Sequence, residues 1–365
     1  MSLTLPKKLP PQLRGAAILL LPLLIIIAGP GCRKTEIPHV LLNGYEQTNL
    51  VSDVPGWAAR VDSTLVNPWG IAVATSGPIW ISDNGTGLSS VYDNTGMTLR
   101  PPVIIPRPDS SAGGAPTGVV FNSTSDFSFL AGKSKVASHF IFATEDGTLA
   151  AWGGGNTATI AADQSKSYAV YKGLAMANDG GSNFLYATNF HEAKIDVFDK
   201  NFQLVTGKPF HDPGIPAGFA PFNIRNIGGW LYVTYAKQKL PAKHDDTAGP
   251  GNGFVNIFKP NGSLVKRFAS RGALNSPWGI VQTTVGFCKE KEAAILVGNF
   301  GDGHINEFDD DGRWVGPLKD DGRAIWIDGL WALENNVPKT DSSRLYFTAG
   351  PTKETHGLFG YLKQR

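Results

Sequence analysis

Residues 67–96 read NPWGIAVATSGPIWISDNGTGLSSVYDNTG, which is three short apolar runs separated by turn-forming residues. The runs begin at Ile71, Ile79 and Ser90, and the breaks between them are rich in Gly, Pro, Asn and Asp. The break at 94–96 favours a hairpin turn, because Asn and Gly tolerate positive φ. A further apolar run follows at 103–105. Short strands separated by such turns indicate an antiparallel meander of four strands.

The same pattern recurs along the rest of the chain. Six copies are recognisable, and the positions equivalent to Gly70 follow one another at intervals of 48, 55, 50, 56 and 50 residues. These positions are Gly118, Gly173, Asn223, Gly279 and Gly329. A period of this length with four strands in each copy is typical of a β-propeller. The predicted fold is therefore all-β, a six-bladed β-propeller with four-stranded antiparallel blades. A two-sheet sandwich is the alternative, but it does not account for six copies in order.

The two ends of the chain are predicted to meet. The sixth copy supplies only three strands and ends near Leu362. The stretch 45–53, YEQTNLVSD, is predicted to provide the missing outer strand and so to close the ring and cover its open edges. The propeller domain is therefore expected to span residues 45–365.

The first 31 residues differ in composition from the rest. Lys7, Lys8 and Arg14 precede an unbroken apolar run at 16–28, which is short for a transmembrane helix. Cys32 follows a small residue, as in a bacterial lipoprotein signal in which the cysteine becomes the acylated first residue. Residues 1–31 are thus interpreted as a lipoprotein-type signal peptide, although Gly29 and Pro30 depart from the usual pattern, and residues 32–44 as a tether. An uncleaved anchor is the alternative.

This interpretation predicts an exported protein. It would be a lipoprotein of the cell envelope, periplasmic or at the surface, or a secreted protein, and it would touch the membrane through the lipid anchor only. Cys32 and Cys288 are the two cysteines, so no disulfide is expected if Cys32 carries lipid. Without residues 1–31 the chain holds 30 basic and 31 acidic residues. This balance argues against nucleic acid. The expected partner is a small molecule, a glycan or an envelope protein, and the expected state is a monomer.

The sequence also predicts where a ligand would bind. In a propeller, the loops that lead into the first strand and those that join the second strand to the third surround the same mouth of the channel. Side chains there offer polar groups for a hard cation, a sugar or an acid. The candidate ligand-binding residues are Asn67, Asn84, Glu145, Asn189, His191, Asn223, Lys237, Asn299, Asp302, His304 and His356. The alternative is structural, because Asn and Asp often end strands by bonding to nearby backbone.

One loop on this face is much longer than its equivalents. Residues 236–253, AKQKLPAKHDDTAGPGNG, separate the second and third strands of the fourth copy. Long loops in compact domains are usually functional or disordered. His244, Asp245 and Asp246 are the candidate catalytic residues, since an imidazole beside carboxylates suits acid–base work or metal binding. A solvated flexible flap is the alternative.

Two levels of resemblance support the propeller. The turns YDNTG, VFDKN and FDDDG resemble those of NHL-type repeats and of gluconolactonase-like six-bladed propellers. More closely, the chain from Tyr45 onward resembles an uncharacterised family of secreted bacterial propellers. The stretches that carry this likeness are NLVSDVPGWAARVDSTLVNPWGIA at 49–72, YATNFHEAKIDVFD at 186–199, the loop at 235–255 with KHDD and AGPGNGFV, and SPWGI at 276–280.

The gluconolactonase-like resemblance implies one divalent cation in the central channel. Such a metal activates water or polarises a lactone. The implied ligands here are Asn189, Asn223 and Asn299, with Glu145 or Asp302 as the charged group; the first-blade Glu of those relatives has no counterpart beside Asn67. Three or more of these would have to meet within about 5 Å. The leading functional hypothesis is ligand or partner binding at the channel mouth, and the alternative is a metal-dependent hydrolase or lactonase.

Overall fold

The computed structural model describes residues 44–283, 287 and 294–365. The predicted signal peptide, Cys32, most of the predicted tether and Cys288 therefore lie outside the described residues. No helix in the described part is long and apolar enough to cross a membrane.

Six blades, each built on four antiparallel strands, confirm the predicted six-bladed β-propeller, and the sheet of blade 6 carries one additional short strand. We label the strands of each blade A to D, in their order across the sheet from the channel outwards. Blade 1 comprises Pro68–Val73, Ile79–Asp83, Leu88–Tyr92 and Val103–Ile104. Blade 2 comprises Pro116–Phe121, Phe140–Thr144, Thr148–Trp152 and Thr159–Asp163. Blade 3 comprises Tyr171–Asp179, Ser182–Asn189, Lys194–Phe198 and Leu204–Val205.

The remaining blades follow the same order. Blade 4 comprises Phe219–Ile227, Trp230–Lys237, Gly253–Phe258 and Leu264–Ser270. Blade 5 comprises Pro277–Gln282, Ile295–Asn299, Ile305–Phe308 and Trp314–Pro317. Blade 6 comprises Leu330–Glu334, Arg344–Ala349, Leu358–Gln364 and, as its D strand, Tyr45–Ser52. The additional elements are the hairpins Ser128–Ala131/Ser134–Ala137 and Lys319–Asp320/Arg323–Ala324, the 3-10 turn Ser165–Ser167 and the short helical turn Pro351–Glu354.

The N-terminal strand closes the ring, as the sequence predicted. Tyr45–Ser52 pairs antiparallel with strand C of blade 6, with Thr48 opposite Tyr361 and Val51 opposite Phe359. One feature was not predicted. Arg60–Val61 adds a fifth strand to this blade and runs parallel to strand D.

The repeated glycines are explained by the packing of the inner ring, in which the A strands of neighbouring blades contact one another in cyclic order. A Cβ atom on Gly70 would lie 2.5 Å from the carbonyl oxygen of Thr117 in blade 2, and one on Gly118 would lie 2.4 Å from the backbone nitrogen of Leu174 in blade 3. Side chains at these positions would force the blades apart. Close approach between A strands therefore explains why glycine recurs at most of these positions.

Aromatic side chains fill one end of the channel, the end at which the A strands begin. Trp331 stacks on Trp69 with ring centroids 3.6 Å apart and on Phe300 at 3.9 Å, while Trp278 packs edge-on against Trp69 at 6.0 Å. Phe222 also contacts Trp331. We call these five residues the aromatic plug. The polar residues of the channel mouth pack against the outer side of this plug.

Candidate functional site

A cluster of charged and amide side chains lies above the aromatic plug, and we call it the mouth cluster. Its members come from four blades and from the inserted loop at 236–253, and they are joined by direct contacts or by short-range electrostatic coupling. They are Asn67, Asn84, Glu145, Lys172, His244, Asp245, Asp246 and Glu354.

The centre of the mouth cluster is a buried ion pair. The ammonium of Lys172, on strand A of blade 3, contacts Oε1 of Glu145 in the B–C loop of blade 2. Lys172 is 2 % exposed, and its Nζ also lies 4.9 Å from the ring centroid of Trp69. Asn84 donates to the other carboxylate oxygen of Glu145 at 2.9 Å. Burial alone would raise the pKa of Glu145, but the charge of Lys172 and its hydrogen bond outweigh it and lower that pKa.

A second carboxylate is placed by an unusual turn. Thr352, Lys353 and Glu354, in the B–C loop of blade 6, have successive φ values of 57°, 56° and 67°. Residues with side chains avoid this left-handed region, at a cost of roughly 1–2 kcal/mol each. The turn places Glu354 where its Oε2 accepts a hydrogen bond of 2.8 Å from Asn67. Burial raises the pKa of Glu354. Backbone strain is therefore stored where it positions a half-buried carboxylate.

The inserted loop is held onto the mouth by hydrogen bonds at both of its ends. Gln238 forms a β-bridge with Asp246, and its side chain donates to the carbonyl of Phe190 at 2.6 Å. Near the other end, the backbone N–H of Gly249 donates to the side chain of Asn275 at 2.7 Å. The loop thus folds back over the channel and brings His244, Asp245 and Asp246 to the cluster.

Within the loop, the three candidate catalytic residues have different surroundings. His244 Nδ1 lies 2.9 Å from Oδ1 of Asp245 and 3.8 Å from Oε1 of Glu145. Asp246 is mostly buried, and burial outweighs Ser276 and Lys172 and raises its pKa. Among the described residues, its Oδ2 makes no hydrogen bond of normal geometry. An imidazole and a buried carboxyl therefore lie beside the Glu145–Lys172 pair.

The charge balance of the mouth cluster is uneven. Four carboxyl groups surround one lysine, and the raised pKa values of Asp246 and Glu354 have burial as their first cause. The negative charge of Glu145 raises the pKa of Glu354 further, and Lys172 offsets part of both shifts. Asp245 is largely exposed, and its hydrogen bond with His244 outweighs burial and lowers its pKa. Ionising Asp246 and Glu354 beside Glu145 is unfavourable unless a further positive charge is brought in.

The other predicted amide residues serve the ends of their own strands. Asn189 donates to Asp196 at 2.9 Å, and Asn223 donates to the carbonyl of Trp278 at 2.7 Å. Asn299 donates to the carbonyl of Ala273 at 2.7 Å and also to Asp302. None of these amides hydrogen-bonds to Glu145 in the part of the chain that the structure describes.

The remaining predicted residues also lie apart from the mouth cluster. His304 donates through Nδ1 to the carbonyl of Ile325 at 2.8 Å, and His356 contacts Asp53 at 2.8 Å. His191 lies 3.2 Å from Glu192, and Lys237 is exposed at the end of strand B of blade 4. The structure thus brings together Asn67, Asn84, Glu145, His244, Asp245 and Asp246.

A divalent cation does not fit the ligand set implied by the gluconolactonase-like resemblance, because its amides are bonded elsewhere. Glu145, His244 and Asp245 do offer ligand atoms within 4.8 Å of one another. However, the two oxygens of Glu145 already accept hydrogen bonds from Lys172 and Asn84. The ammonium of Lys172 supplies the positive charge at this point, so the arrangement resembles an ammonium-binding site more than a prepared metal site.

Two members of the cluster were missed by the sequence analysis. Lys172 is a lysine at the start of an otherwise apolar strand, KGLAMA, and a buried lysine requires a charged partner. That signal was available. Glu354 was not predictable in this way. Its approach to Asn67 depends on three successive residues with left-handed backbone conformation, which the local sequence does not predict.

Replacing Glu354 with glutamine is expected to stabilise the protein at neutral pH, by about 0.5–2 kcal/mol. Folding raises the pKa of Glu354. The protein therefore loses stability as the pH rises above the ordinary pKa of a glutamate side chain, because the ionised form is disfavoured in the folded state. Glutamine keeps an oxygen for the hydrogen bond from Asn67 and has no charge. The gain should therefore vanish near pH 4, where Glu354 is protonated in both states.

Urea denaturation at pH 4 and pH 7.5 measures this difference. The matched control is Glu46→Gln, at an exposed position on strand D of blade 6, which should change little at either pH. A loss of stability in Glu354→Gln at pH 7.5 would contradict the assignment of a buried, unfavourable carboxylate.

Comparison with known proteins places the chain in a family without assigning its activity. It is 35% identical over 333 residues to "Uncharacterized protein R648" of Acanthamoeba polyphaga mimivirus, covering 88% of this chain and 81% of the relative. It is 36% identical over 341 residues to "Uncharacterized protein L690" of the same virus, covering 89% and 87%. No family model matches the chain. Both relatives are viral, so the predicted membership of a secreted bacterial family stays a prediction.

Solved structures share the fold at low sequence identity. A streptogramin B lyase superposes with a TM-score of 0.51 at 12% identity, over 88% of this chain and 97% of the lyase. Regucalcin from Agrobacterium tumefaciens gives 0.51 at 16% identity over 83% and 92%, and a glucose dehydrogenase gives 0.53 at 10% identity over 87% and 99%. These similarities concern the fold alone. On the sequence identities, the chain belongs to the same protein family as the mimivirus proteins R648 and L690.

Proposed function

We propose that this protein is a binding propeller that takes a small organic cation, carrying at least one ammonium group, at the mouth cluster. The observation that supports the proposal is the excess of carboxyl groups around the single buried Lys172. Among the described residues, Asp246 and Glu354 have no charged partner comparable to the one that Glu145 has, whereas Asp245 contacts His244. A bound ammonium would pair with these carboxylates and satisfy Oδ2 of Asp246.

The position of the inserted loop supports the same function. Asp245 is largely exposed, whereas Asp246 and Glu354 are mostly buried, so the carboxylates run from solvent down to the floor of the site. Lys172 is already occupied by Glu145 and would repel a second cation from the deepest point. The ligand would therefore sit between the loop and the turn at 351–354, with its ammonium towards Asp246 and Glu354.

Isothermal titration with two matched pairs of compounds tests the proposal. Putrescine is compared with 1,4-butanediol, and glucosamine with N-acetylglucosamine, so that each pair differs in positive charge at similar size. We expect the charged member to bind and the neutral member to bind at least about tenfold more weakly. Asp246→Asn should weaken the binding of the charged member, and the control Asp310→Asn, in an exposed hairpin turn, should not. Equal binding of charged and neutral members, or no binding of either, would contradict the proposal.

The second candidate is a metal-dependent hydrolase, which the convergence of Glu145, His244 and Asp245 favours. Carboxylate and imidazole groups are suitable ligands, and a bound metal would activate water or polarise an ester or lactone. Lys172 would have to release Oε1 of Glu145 for a divalent cation to bind there. Elemental analysis of the purified protein, with melting curves in the presence and absence of chelator, separates the two candidates. A stoichiometric metal and a chelator-induced fall in melting temperature would favour the hydrolase.

Export to the cell envelope and acylation of Cys32 are proposed on the sequence pattern alone. Mass spectrometry of the N-terminus of the mature protein tests them, and an unmodified chain that retains residues 1–31 would contradict both.

A further inference from the structure

A second cavity lies at the opposite end of the channel from the mouth cluster. It has a volume of about 260 Å³ and is formed where the A strands of blades 1, 2 and 3 end. The residues that determine its character are Val73, Phe121, Met176, Arg225, Asn226 and Glu334. A cavity of this size that is open at one end suits a small molecule.

The cavity continues into the channel. A narrow gap of about 20 Å³ lies between the six A strands, and Ile71, Val119, Leu174 and Arg225 line both spaces. The aromatic plug fills the other end of the channel, with Trp69 and Trp331 buried below 4 % exposure. The cavity is therefore a site distinct from the mouth cluster, with apolar walls and one open end.

Two polar features line the cavity. The amide of Asn226 donates to the carbonyl of Met176 at 2.9 Å, and an ion pair crosses the end of blade 5. Arg225 on blade 4 contacts Oε2 of Glu334 on blade 6 through Nη2, and Glu334 is 5 % exposed. Oε1 of Glu334 accepts a hydrogen bond of 2.9 Å from the backbone of Asn336. Both acceptor atoms of Glu334 are thus engaged, whereas a guanidinium has five N–H donors. The pair offers spare donors and carries no net charge.

The apolar walls and the internally neutralised ion pair limit the kind of ligand that the cavity can bind. An anion would compete with Glu334 for Arg225, and a cation would meet Arg225 itself, so neither gains a free opposite charge. An apolar body gains from burial against Val73, Phe121 and Met176. We propose that this cavity binds a small, neutral, mostly apolar molecule that carries a carbonyl or hydroxyl oxygen, with Arg225 as the hydrogen-bond donor.

Fluorescence titration with 6-propionyl-2-(dimethylamino)naphthalene tests the proposal, because this neutral probe combines a naphthalene body with one ketone oxygen and shifts to the blue in apolar surroundings. We expect saturable binding with a blue shift. Met176→Trp should lower the affinity about tenfold or more by filling the cavity. Met97→Trp is the matched control, since Met97 is 52 % exposed in a turn of blade 1, and it should bind as the wild type does. Circular dichroism melting confirms that each variant is folded, and Val73→Trp, from another wall, replaces Met176→Trp if that variant is not.

The role of the ion pair is tested with Arg225→Met/Glu334→Gln, which removes both charges and leaves no buried carboxylate unpaired. We expect this variant to lose affinity for the ketone probe while retaining its affinity for 2-propylnaphthalene, which lacks the oxygen. Absence of saturable binding to the wild type, or unchanged affinity in a folded cavity-filling variant, would overturn the proposal. Equal losses for both probes in the double variant would overturn the role of Arg225.

Discussion

Replacing Lys172 with methionine is expected to lower the free energy of unfolding by about 3–5 kcal/mol, which is the usual cost of leaving one partner of a buried ion pair without the other. Lys172 is 2 % exposed and neutralises Glu145, whose pKa it lowers against the effect of burial. Methionine fills similar space and leaves Glu145 with only the hydrogen bond from Asn84. Urea denaturation at pH 7.5 measures the loss.

Two controls separate the effect of the unpaired buried charge from other effects of losing the lysine. Lys172→Met/Glu145→Gln should recover most of the lost stability, because the glutamine still accepts a hydrogen bond from Asn84 and no charge remains buried. Lys194→Met removes a lysine that is half exposed beside Asp196, and it should cost less than about 1 kcal/mol. If Lys172→Met proves no more harmful than Lys194→Met, the buried pair is not the structural centre of the site.

Replacing Val51 with aspartate should cost about 3 kcal/mol or more, since a buried charge without a partner is highly unfavourable. Val51 is 1 % exposed on the strand that closes the ring, and it lies opposite Phe359 in a core cluster with Tyr92. Ring closure joins the beginning of the described chain to its end. Loosening this strand therefore exposes the edge of blade 6 as well as its core.

The matched control is Gln47→Asp, at an exposed position of the same strand. Thermal melting should show a large fall for Val51→Asp and a change of less than about 0.5 kcal/mol for Gln47→Asp. Similar melting temperatures for the two variants would mean that the N-terminal strand contributes little to holding the propeller closed.

The fold was predictable because its repeat has a physical cause that is visible in the sequence. At Gly70, Gly118, Gly173 and Gly279, four of the six repeated positions, the A strand lies too close to the next A strand for a side chain. Asn223 and Gly329 occupy the other two positions without this constraint. The insertion at 128–137 and the extra strand Arg60–Val61 were not predicted, because neither belongs to the repeat. A pattern that is found by periodicity says nothing about departures from it.

The mouth cluster was predictable only in part. Asn67, Asn84 and Glu145 follow from their positions in the repeat, and the loop at 236–253 was recognised by its length. Strand-end residues such as Asn299 were predicted with them but cap nearby backbone, which was the structural alternative. Sequence position alone does not show whether such a residue joins the mouth cluster or caps the end of its strand. The outcome depends on the rotamer of the side chain and on the neighbouring loop. Glu354 was missed for the same reason.

The pH dependence of putrescine binding is the most direct test of cation binding at the mouth cluster. Burial raises the pKa values of Asp246 and Glu354, so these groups hold their protons to a higher pH than exposed carboxyl groups do and must release them before they can pair with a cation. Glu145 is not the source of this dependence, because Lys172 lowers its pKa. We predict that the affinity measured by isothermal titration rises from pH 5 to pH 8 and that protons are released on binding. An affinity that is independent of pH, or that falls as the pH rises, would contradict the account.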